Sequence, residues 1–299
     1  MIKNISFLIF VLLFFNSCED TSMKYSPKYQ KEKIFINKKI YILGIHPLYN
    51  PKQLFETYQP LIDYLNKNLE DVKIELEASR NYDSFNNKLI SKHFDFALPN
   101  PYQTLISLNY GYEVFAKMAD DEKFKGLIFA RKDSNINNFE DLKNKKMSYP
   151  ASTALAATLL PQYFLYENGI DINKDMENFY VGSQESSIMN VYLKTTDLGA
   201  TWTQPWENFK KNRPEVLNEL KILWETKNLP NNSFVVRENI SKELVEKIKK
   251  LLVELNLNEE GKMILYKINL SHFEEANNEN YRVVEEFISD FEKRVRVIK

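Results

Sequence analysis

The sequence predicts an α/β fold of two lobes, each a mainly parallel sheet flanked by helices. Short apolar runs alternate with longer segments in which apolar residues recur every three or four positions. This alternation restarts after Arg131, and from Ser241 onward the pattern is mostly helical. We therefore expect one lobe to hold residues 36–130 and 231–299, and the other to hold residues 131–230.

The predicted elements alternate along the chain. Strands are expected over residues 39–45, 72–76, 94–98, 113–118, 127–130, 146–149, 179–181, 197–201, 221–224 and 234–236. Helices are expected over residues 54–69, 82–91, 139–143, 153–168 and 186–194, and from Tyr102 and Ser241 onward. Crossings near Ala130 and Pro230 would form a hinge. Ligands of open α/β sheets bind beyond the carboxyl ends of strands, so the cleft between the lobes is the expected site.

The first residues are typical of an exported protein. Lys3 precedes an apolar stretch at residues 5–15, which is shorter than the about 20 residues that span a bilayer. Cys18, the single cysteine of the chain, follows this stretch after Asn16 and Ser17 and resembles the modified cysteine of a bacterial lipoprotein lipobox. That resemblance implies a signal peptide at 1–17, then a lipidated Cys18 and a polar tether at 18–35. An ordinary signal peptide with an incidental cysteine is the alternative.

Overall charge argues against several classes of partner. The chain has 40 basic and 41 acidic residues, so no excess charge indicates binding to nucleic acid or to a membrane surface. Motifs of common hydrolases and nucleotide-binding enzymes are missing from the sequence. One cysteine and three histidines give no recognisable metal site or Cys–His pair. We therefore expect a binding protein without a cofactor, and an enzyme only as a distant alternative.

A small-residue turn before a long apolar segment is the most informative motif. Residues 147–149 are predicted to form a strand, and Ser152 and Thr153 to stand at the start of the next helix. The N-terminus of a helix carries unpaired N–H groups and a partial positive charge, which together favour an oxyanion. The alternative is that Ser152 or Thr153 is an ordinary N-cap.

Four segments resemble one known family. Residues 139–146 resemble the "DLKGKK" phrase of type II periplasmic binding proteins, and residues 150–154 resemble the Ser-Thr-Ser-Gly anion loop of their phosphate, phosphite and phosphonate-binding branch. Residues 94–97 followed by Tyr102 resemble that branch's "VDIAW" strand, and Tyr82 stands where it places a ligand-facing tyrosine. The resemblance extends over residues 38–255.

This resemblance implies a monomeric solute receptor for an ABC importer, held on the outer side of a bacterial membrane, either periplasmic or at the cell surface. The anionic head of the ligand would meet the side chains of Ser152 and Thr153 and the N–H of Ala154. Tyr82 and Tyr102 would contribute from the first lobe, and the cleft would close over the ligand.

Departures from the family pattern bear on the ligand. Gln184 stands where the family often has a histidine, and Ala154 and Leu155 replace the Ser-Gly end of the anion loop. Family members that bind aminoalkyl phosphonates hold the amine with acidic residues, but the matching stretches 203–206 and 230–232 contain no carboxylate. An unpaired buried ammonium is costly, so we expect an amine-free ligand: phosphate, phosphite, a simple phosphonate or another oxyanion.

Further candidates have two interpretations each. Trp202 and Trp206 suit either an aromatic wall of the cleft or the core, and Asn232 lies in the loop facing the same cleft. His46, at a strand end before Pro47, is expected to be structural. The rival function is a sensory partner that hands its ligand-closed shape to a membrane histidine kinase.

Overall fold

The structure is a computed structural model that describes residues 38–298, so the predicted signal peptide, Cys18 and most of the tether lie outside the described residues. Residues 38–299 form one compact unit. Within the described part of the chain, no helix has both the length and the apolar character needed to cross a membrane.

Eleven strands form two sheets. The strands are β1 (Lys39–Ile45), β2 (Val72–Ala78), β3 (Phe96–Leu98), β4 (Tyr112–Met118), β5 (Lys125–Arg131), β6 (Lys145–Tyr149), β7 (Met176–Tyr180), β8 (Leu198–Trp202), β9 (Leu220–Asn228), β10 (Ser233–Arg237) and β11 (Phe273–Glu275). The first sheet has the order β11-β4-β10-β3-β1-β2 and the second has the order β7-β6-β8-β5-β9.

Helices flank both sheets. They are α1 (Pro51–Asn68), α2 (Tyr82–Ile90), α3 (Pro101–Leu108), α4 (Leu160–Glu167), α5 (Gln184–Tyr192), α6 (Thr203–Asn212), α7 (Pro214–Leu217), α8 (Lys242–Val253), α9 (Glu259–Ile268) and α10 (Arg282–Arg294). A π-helical turn, Leu155–Leu159, leads directly into α4. Apolar side chains pack on both faces of the second sheet. One cluster surrounds Met147 on one face, and another surrounds Phe129 on the other face.

The α/β class and the two sheets are confirmed, but the sheets are mixed rather than mainly parallel. Strands β1, β2 and β3 are parallel, as are β6, β7 and β8, whereas β10 and β5 run antiparallel to their neighbours. The reason is that β5 and β10 are each the first strand after the chain crosses from one sheet to the other. They start at the edge where the parallel strands end.

The first crossing between the sheets also differs from the expected position. Strand β5 pairs with β8 and β9 in the second sheet, so the chain crosses at residues 119–124 rather than near Ala130. The return crossing at residues 229–232 agrees with the prediction near Pro230. The short strand β11 was not predicted, because three residues are too few to show a period.

Candidate functional site

Strand ends from both sheets meet at one small cavity. In the first sheet, His46 and Asn100 follow the ends of the parallel strands β1 and β3, and Asn232 precedes the antiparallel β10. In the second sheet, β8 ends at Trp202, and Phe124 precedes the antiparallel β5. The carboxyl ends of parallel strands are the usual ligand-binding edge of such sheets.

The cavity is small, with only about 10 Å³ open to the centre of a water-sized sphere. Its lining consists of His46, Tyr82, Asn100, Phe124, Ala154, Leu155, Ala156, Ala157, Gln184, Trp202 and Asn232. None of these eleven residues is more than 4% exposed. The residues that line the cavity are therefore almost completely shielded from solvent.

One wall of the cavity is the start of a helical run. Ala154 stands as the N-cap, and the first bond within the run joins the N–H of Thr158 to the carbonyl of Ala154 at 2.8 Å. The backbone N–H groups of Leu155, Ala156 and Ala157 precede that bond, so the helix itself gives them no acceptor. Three N–H groups at a helix start form a positive cradle for an anion.

Two amides present donors to the cavity because their oxygens are engaged elsewhere. The Asn100 Oδ1 accepts from the N–H of Gln103 at 3.0 Å and caps α3, and the buried Asn100 Nδ2 has no hydrogen-bond partner. The Gln184 Oε1 accepts from the hydroxyl of Thr201 at 2.8 Å, which identifies Nε2 as the donor end of this amide. This Nε2 lies 3.5 Å from the Tyr82 hydroxyl across the junction of the two sheets.

Tyr82 and Asn232 complete the polar lining. Burial raises the pKa of the Tyr82 hydroxyl to about 12, so it stays protonated and able to donate. The buried Asn232 Oδ1 has no hydrogen-bond partner, and its Nδ2 meets only the thioether sulfur of Met118 at 3.6 Å. Sulfur is a weak acceptor, so this amide can turn to present either end to the cavity.

His46 is held as a neutral ring. Its Nδ1 lies 3.0 Å from the carbonyl oxygen of Leu98, and because a carbonyl only accepts, Nδ1 carries the proton. Burial lowers the pKa of His46 to about 4, against the opposing effect of that hydrogen bond. The ring faces Tyr82 edge-on, with centroids 6.4 Å apart.

Two aromatic rings form an apolar wall. Phe124 and Trp202 pack with their centroids 5.2 Å apart, and both line the cavity. No lining residue is an Asp, Glu, Lys or Arg. Within residues 38–298, no cluster of His, Cys, Asp and Glu could hold a metal ion.

A groove outside the cavity shares one wall with it. The groove has a volume of about 370 Å³ and is lined by α1 and the loop before it, by the start of α5 and by α6. Gln184 lines both the groove and the cavity, so it stands between solvent and the buried space. Asn50 and Glu185 face each other across the groove, with Nδ2 and Oε2 3.4 Å apart.

The structure brings some predicted site residues together and leaves others apart. The cavity lining includes the predicted Tyr82, Ala154, Gln184, Trp202 and Asn232. The predicted Ser152, Thr153 and Tyr102 do not line it. Their contacts with a ligand, like those of the other residues, stay predictions.

Helix boundaries explain the residues that lie outside the lining. The helical run begins at Leu155, so Ser152 and Thr153 belong to the preceding turn, where the carbonyl of Ser152 accepts from Arg296 at 2.7 Å. Thr153 is buried and its hydroxyl has no hydrogen-bond partner. Tyr102 is the second residue of α3. Burial raises the pKa of its hydroxyl, and the charge of Glu292 raises it further while that of Arg296 lowers it.

Trp206 is a core residue. It packs on Phe129 with centroids 5.1 Å apart and does not line the cavity. The residues that sequence reasoning missed in the lining are His46, Asn100, Phe124, Leu155, Ala156 and Ala157. Asn100 carries a readable signal, because an Asn before a Pro with a Gln three positions later is a capping-box pattern.

A family model described as "ABC transporter, phosphonate, periplasmic substrate-binding protein" matches residues 43–281. The probable ABC transporter phosphite binding protein PhnD1 of Prochlorococcus marinus (strain MIT 9301) is 25% identical over 273 residues, which cover 85% of this chain and 90% of that protein. The phosphonates-binding periplasmic protein of Escherichia coli (strain K12) is 26% identical over 175 residues, or 56% of this chain and 51% of that one.

Solved structures have the same fold. A binding protein component of an ABC phosphonate transporter from Pseudomonas aeruginosa superposes with a TM-score of 0.78 at 19% identity, covering 86% of this chain and 88% of that chain. PhnD1 of Prochlorococcus marinus in complex with methylphosphonate superposes with a TM-score of 0.77 at 23% identity, covering 85% and 99%. These relatives are substrate-binding proteins of ABC transporters, not enzymes.

Proposed function

Because the chain belongs to the family of periplasmic substrate-binding proteins of phosphonate ABC transporters, we propose that its buried cavity captures a small amine-free phosphorus oxyanion for import. One observation carries the proposal: uncharged donors from both sheets converge on a cavity with no carboxylate. Fixed neutral donors stabilise an oxyanion by about 1.5–3 kcal/mol for each hydrogen bond. The N–H groups at 155–157, with Asn100, Tyr82, Gln184 and Asn232, would hold the ligand.

The cavity favours phosphite or a short alkylphosphonate over phosphate. Donors suit three oxygens of a tetrahedral head, while Phe124 and Trp202 offer a fourth substituent only an apolar wall. A hydrogen atom or methyl group on phosphorus fits such a wall, whereas a fourth oxygen would be buried without a partner. The relative from Prochlorococcus marinus is named for phosphite binding.

We expect an aminoalkyl phosphonate to bind poorly for a related reason. Its ammonium group would enter a cavity whose lining holds no carboxylate, and a buried unpaired charge is costly.

The experiment is titration calorimetry on protein that has been unfolded and refolded to remove carried-over ligand. Phosphite, methylphosphonate, phosphate, aminoethylphosphonate and sulfate are titrated into the wild type and into Asn100→Ser. Serine keeps the N-cap of α3 but lacks the amide donor, so affinity for the bound oxyanion should fall about 10–100-fold. Asn258→Ser makes the same change at the N-cap of α9, where Oδ1 accepts from Gly261, and should bind like the wild type.

Two results would overturn the proposal. Tight binding of aminoethylphosphonate would contradict the argument from the missing carboxylate. Equal binding by Asn100→Ser and the wild type would place the ligand outside this cavity.

Ligand entry would require a hinge motion. A cavity whose lining is at most 4% exposed has no open path for a ligand. The crossings at residues 119–124 and 229–232 lie side by side, because Asn231 donates to the carbonyl of Ala119 at 2.7 Å and to the carboxylate of Asp121 at 2.8 Å. Rotation about this paired segment would part Gln184 from Tyr82 and open the groove.

The mature protein would be a monomer anchored outside the cytoplasm through a lipid on Cys18, and would deliver its ligand to a membrane permease. Mass spectrometry of the membrane-bound protein tests the anchor, and Cys18→Ser should release the protein into the soluble fraction. Family membership supports import, and no relative reported above favours a partnership with a histidine kinase.

A further inference from the structure

His46 presents a fixed hydrogen-bond acceptor to the cavity. Its Nδ1 donates to the carbonyl of Leu98 at 3.0 Å, and its own backbone N–H lies 3.1 Å from the same oxygen. With the proton on Nδ1, the ring's other nitrogen, Nε2, carries a lone pair. His46 is 2% exposed and lines the cavity.

The other polar side chains of the lining are hydrogen-bond donors or can rotate to become donors. Asn100 and Gln184 present their NH₂ ends because their oxygens accept from Gln103 and Thr201. The Tyr82 hydroxyl can donate, and the Asn232 amide can turn. Among the side chains of the described lining, His46 Nε2 is thus the one acceptor that rotation cannot turn into a donor.

The elements around His46 contribute no charged side chain to the cavity lining. The start of α2 contributes Tyr82, the start of α3 contributes Asn100, and the loop before β10 contributes Asn232. The second sheet contributes Phe124, residues 154–157, Gln184 and Trp202. A proton at the Nε2 contact must therefore come with the ligand or from solvent.

We propose that His46 makes the site selective for an oxyanion that retains one titratable proton, so that a P–OH group donates to Nε2. This inference rests on the proposed function. A phosphonate or phosphite monoanion satisfies the donors with its charged oxygens and His46 with its hydroxyl. A dianion can bind in an equivalent way if Nε2 takes up a proton from solvent. The complex then contains the same number of protons as the complex of the monoanion with neutral His46. Sulfate and sulfonates are fully deprotonated near neutral pH, so one of their oxygens would face the Nε2 lone pair without a proton between them.

The test compares methylphosphonate with methanesulfonate, which has similar size and shape but no second proton. Calorimetric titrations run from about pH 6 to pH 9 in buffers of different ionisation enthalpy. The wild type should bind methylphosphonate at least about a hundredfold more tightly than methanesulfonate at neutral pH. Its affinity for methylphosphonate should fall about tenfold per pH unit above the second ionisation of the ligand, with one proton taken up on binding.

Two variants separate this role from simple packing. In His46→Gln an amide takes the position of Nε2 and can turn to donate. In His46→Asn the amide can keep the bond to Leu98, but nothing occupies the position of Nε2. Both should lose the preference for methylphosphonate over methanesulfonate by about tenfold or more, and His46→Gln should also lose the pH slope. A purely structural histidine would weaken both ligands alike.

The outcomes are distinguishable. If the wild type binds methylphosphonate with an affinity independent of pH, or binds methanesulfonate equally well, the role of His46 is wrong while the proposed function stands. If no phosphorus oxyanion binds at any pH, the proposed function itself fails. The wild-type series decides the question even if a variant does not fold.

Discussion

Unpaired polar atoms at the cavity are the clearest sign of a missing partner at the residue scale. Asn100 Nδ2 and Asn232 Oδ1 are buried without a hydrogen bond, and the Thr153 hydroxyl in the adjoining turn shares this condition. Such atoms are rare in folded proteins and cost about 1–3 kcal/mol each. A ligand that hydrogen-bonds to these atoms removes this cost, which favours binding.

His46 should also make the ligand-free protein sensitive to acid. Its pKa is about 4 when folded and about 6.5 when unfolded, so between these values the unfolded chain binds more protons. Stability should therefore fall as pH falls. From pH 7 to pH 5 the contribution of His46 is a loss of about 2 kcal/mol.

Urea unfolding of the wild type and His46→Gln at both pH values checks this. Carboxylates titrate in both proteins, so the quantity of interest is the difference between their losses. The variant should lose about 2 kcal/mol less, and equal losses would show that His46 is not buried as a neutral ring.

At the scale of elements, the π-helical turn Leu155–Leu159 positions the N–H groups that we propose to bind the anion. Pro161 has no N–H to continue the hydrogen-bond ladder, and its ring crowds the preceding turn, which favours local widening. The widened turn packs against strand β5 at Gly126, where there is no side chain. A Cβ placed there would lie 2.5 Å from the carbonyl oxygen of Ala156 and 2.8 Å from the ring of Pro161.

Gly126→Ala should therefore move the cradle. We expect the free energy of unfolding to fall by about 1–3 kcal/mol from overpacking, and ligand affinity to fall by about tenfold as the N–H groups shift. Gly169→Ala is the control, because Gly169 has a φ of +84° with no atom within 4 Å of an added Cβ. It should lose about 1 kcal/mol of stability through its backbone alone and keep the affinity. Equal affinity of Gly126→Ala and the wild type would contradict the role of this close packing.

At the scale of the whole molecule, closure should be coupled to the ligand. Cysteines replacing Asn50 and Glu185 across the groove should react with a short thiol crosslinker faster when methylphosphonate is bound, since the ligand favours the closed state. Cys18→Ser removes the native thiol in every variant.

The matched control lies within the first sheet's helices. Lys67 and Glu260 join α1 to α9 at 2.8 Å, and cysteines at these two positions should crosslink at the same rate with and without ligand. A ligand-independent rate at the Asn50–Glu185 pair would argue against closure upon binding.

The sequence determined most of what local chemistry controls. Apolar periodicity placed the strands and most helices within a few residues, and family phrases indicated the class of protein. The missing carboxylates in 203–206 and 230–232 are visible in the sequence, because residue type alone decides whether an amine can be paired.

Only the tertiary structure decided which residues meet. The predicted Tyr82, Gln184 and Asn232 line the cavity. Asn100, the N-cap of α3, also lines it, whereas Tyr102, the second residue of that helix, does not. The helical run starts at Leu155, so the anion contacts that we propose include the N–H groups of residues 155–157, and Gly126 of strand β5 packs against this run. The predicted contacts of Ser152, Thr153 and Ala154 stay predictions. His46 became a candidate only when the carbonyl of Leu98, 52 residues away, fixed its tautomer. Contacts between residues so far apart produce no periodicity or regular spacing in the sequence, so they can be identified only in the folded structure.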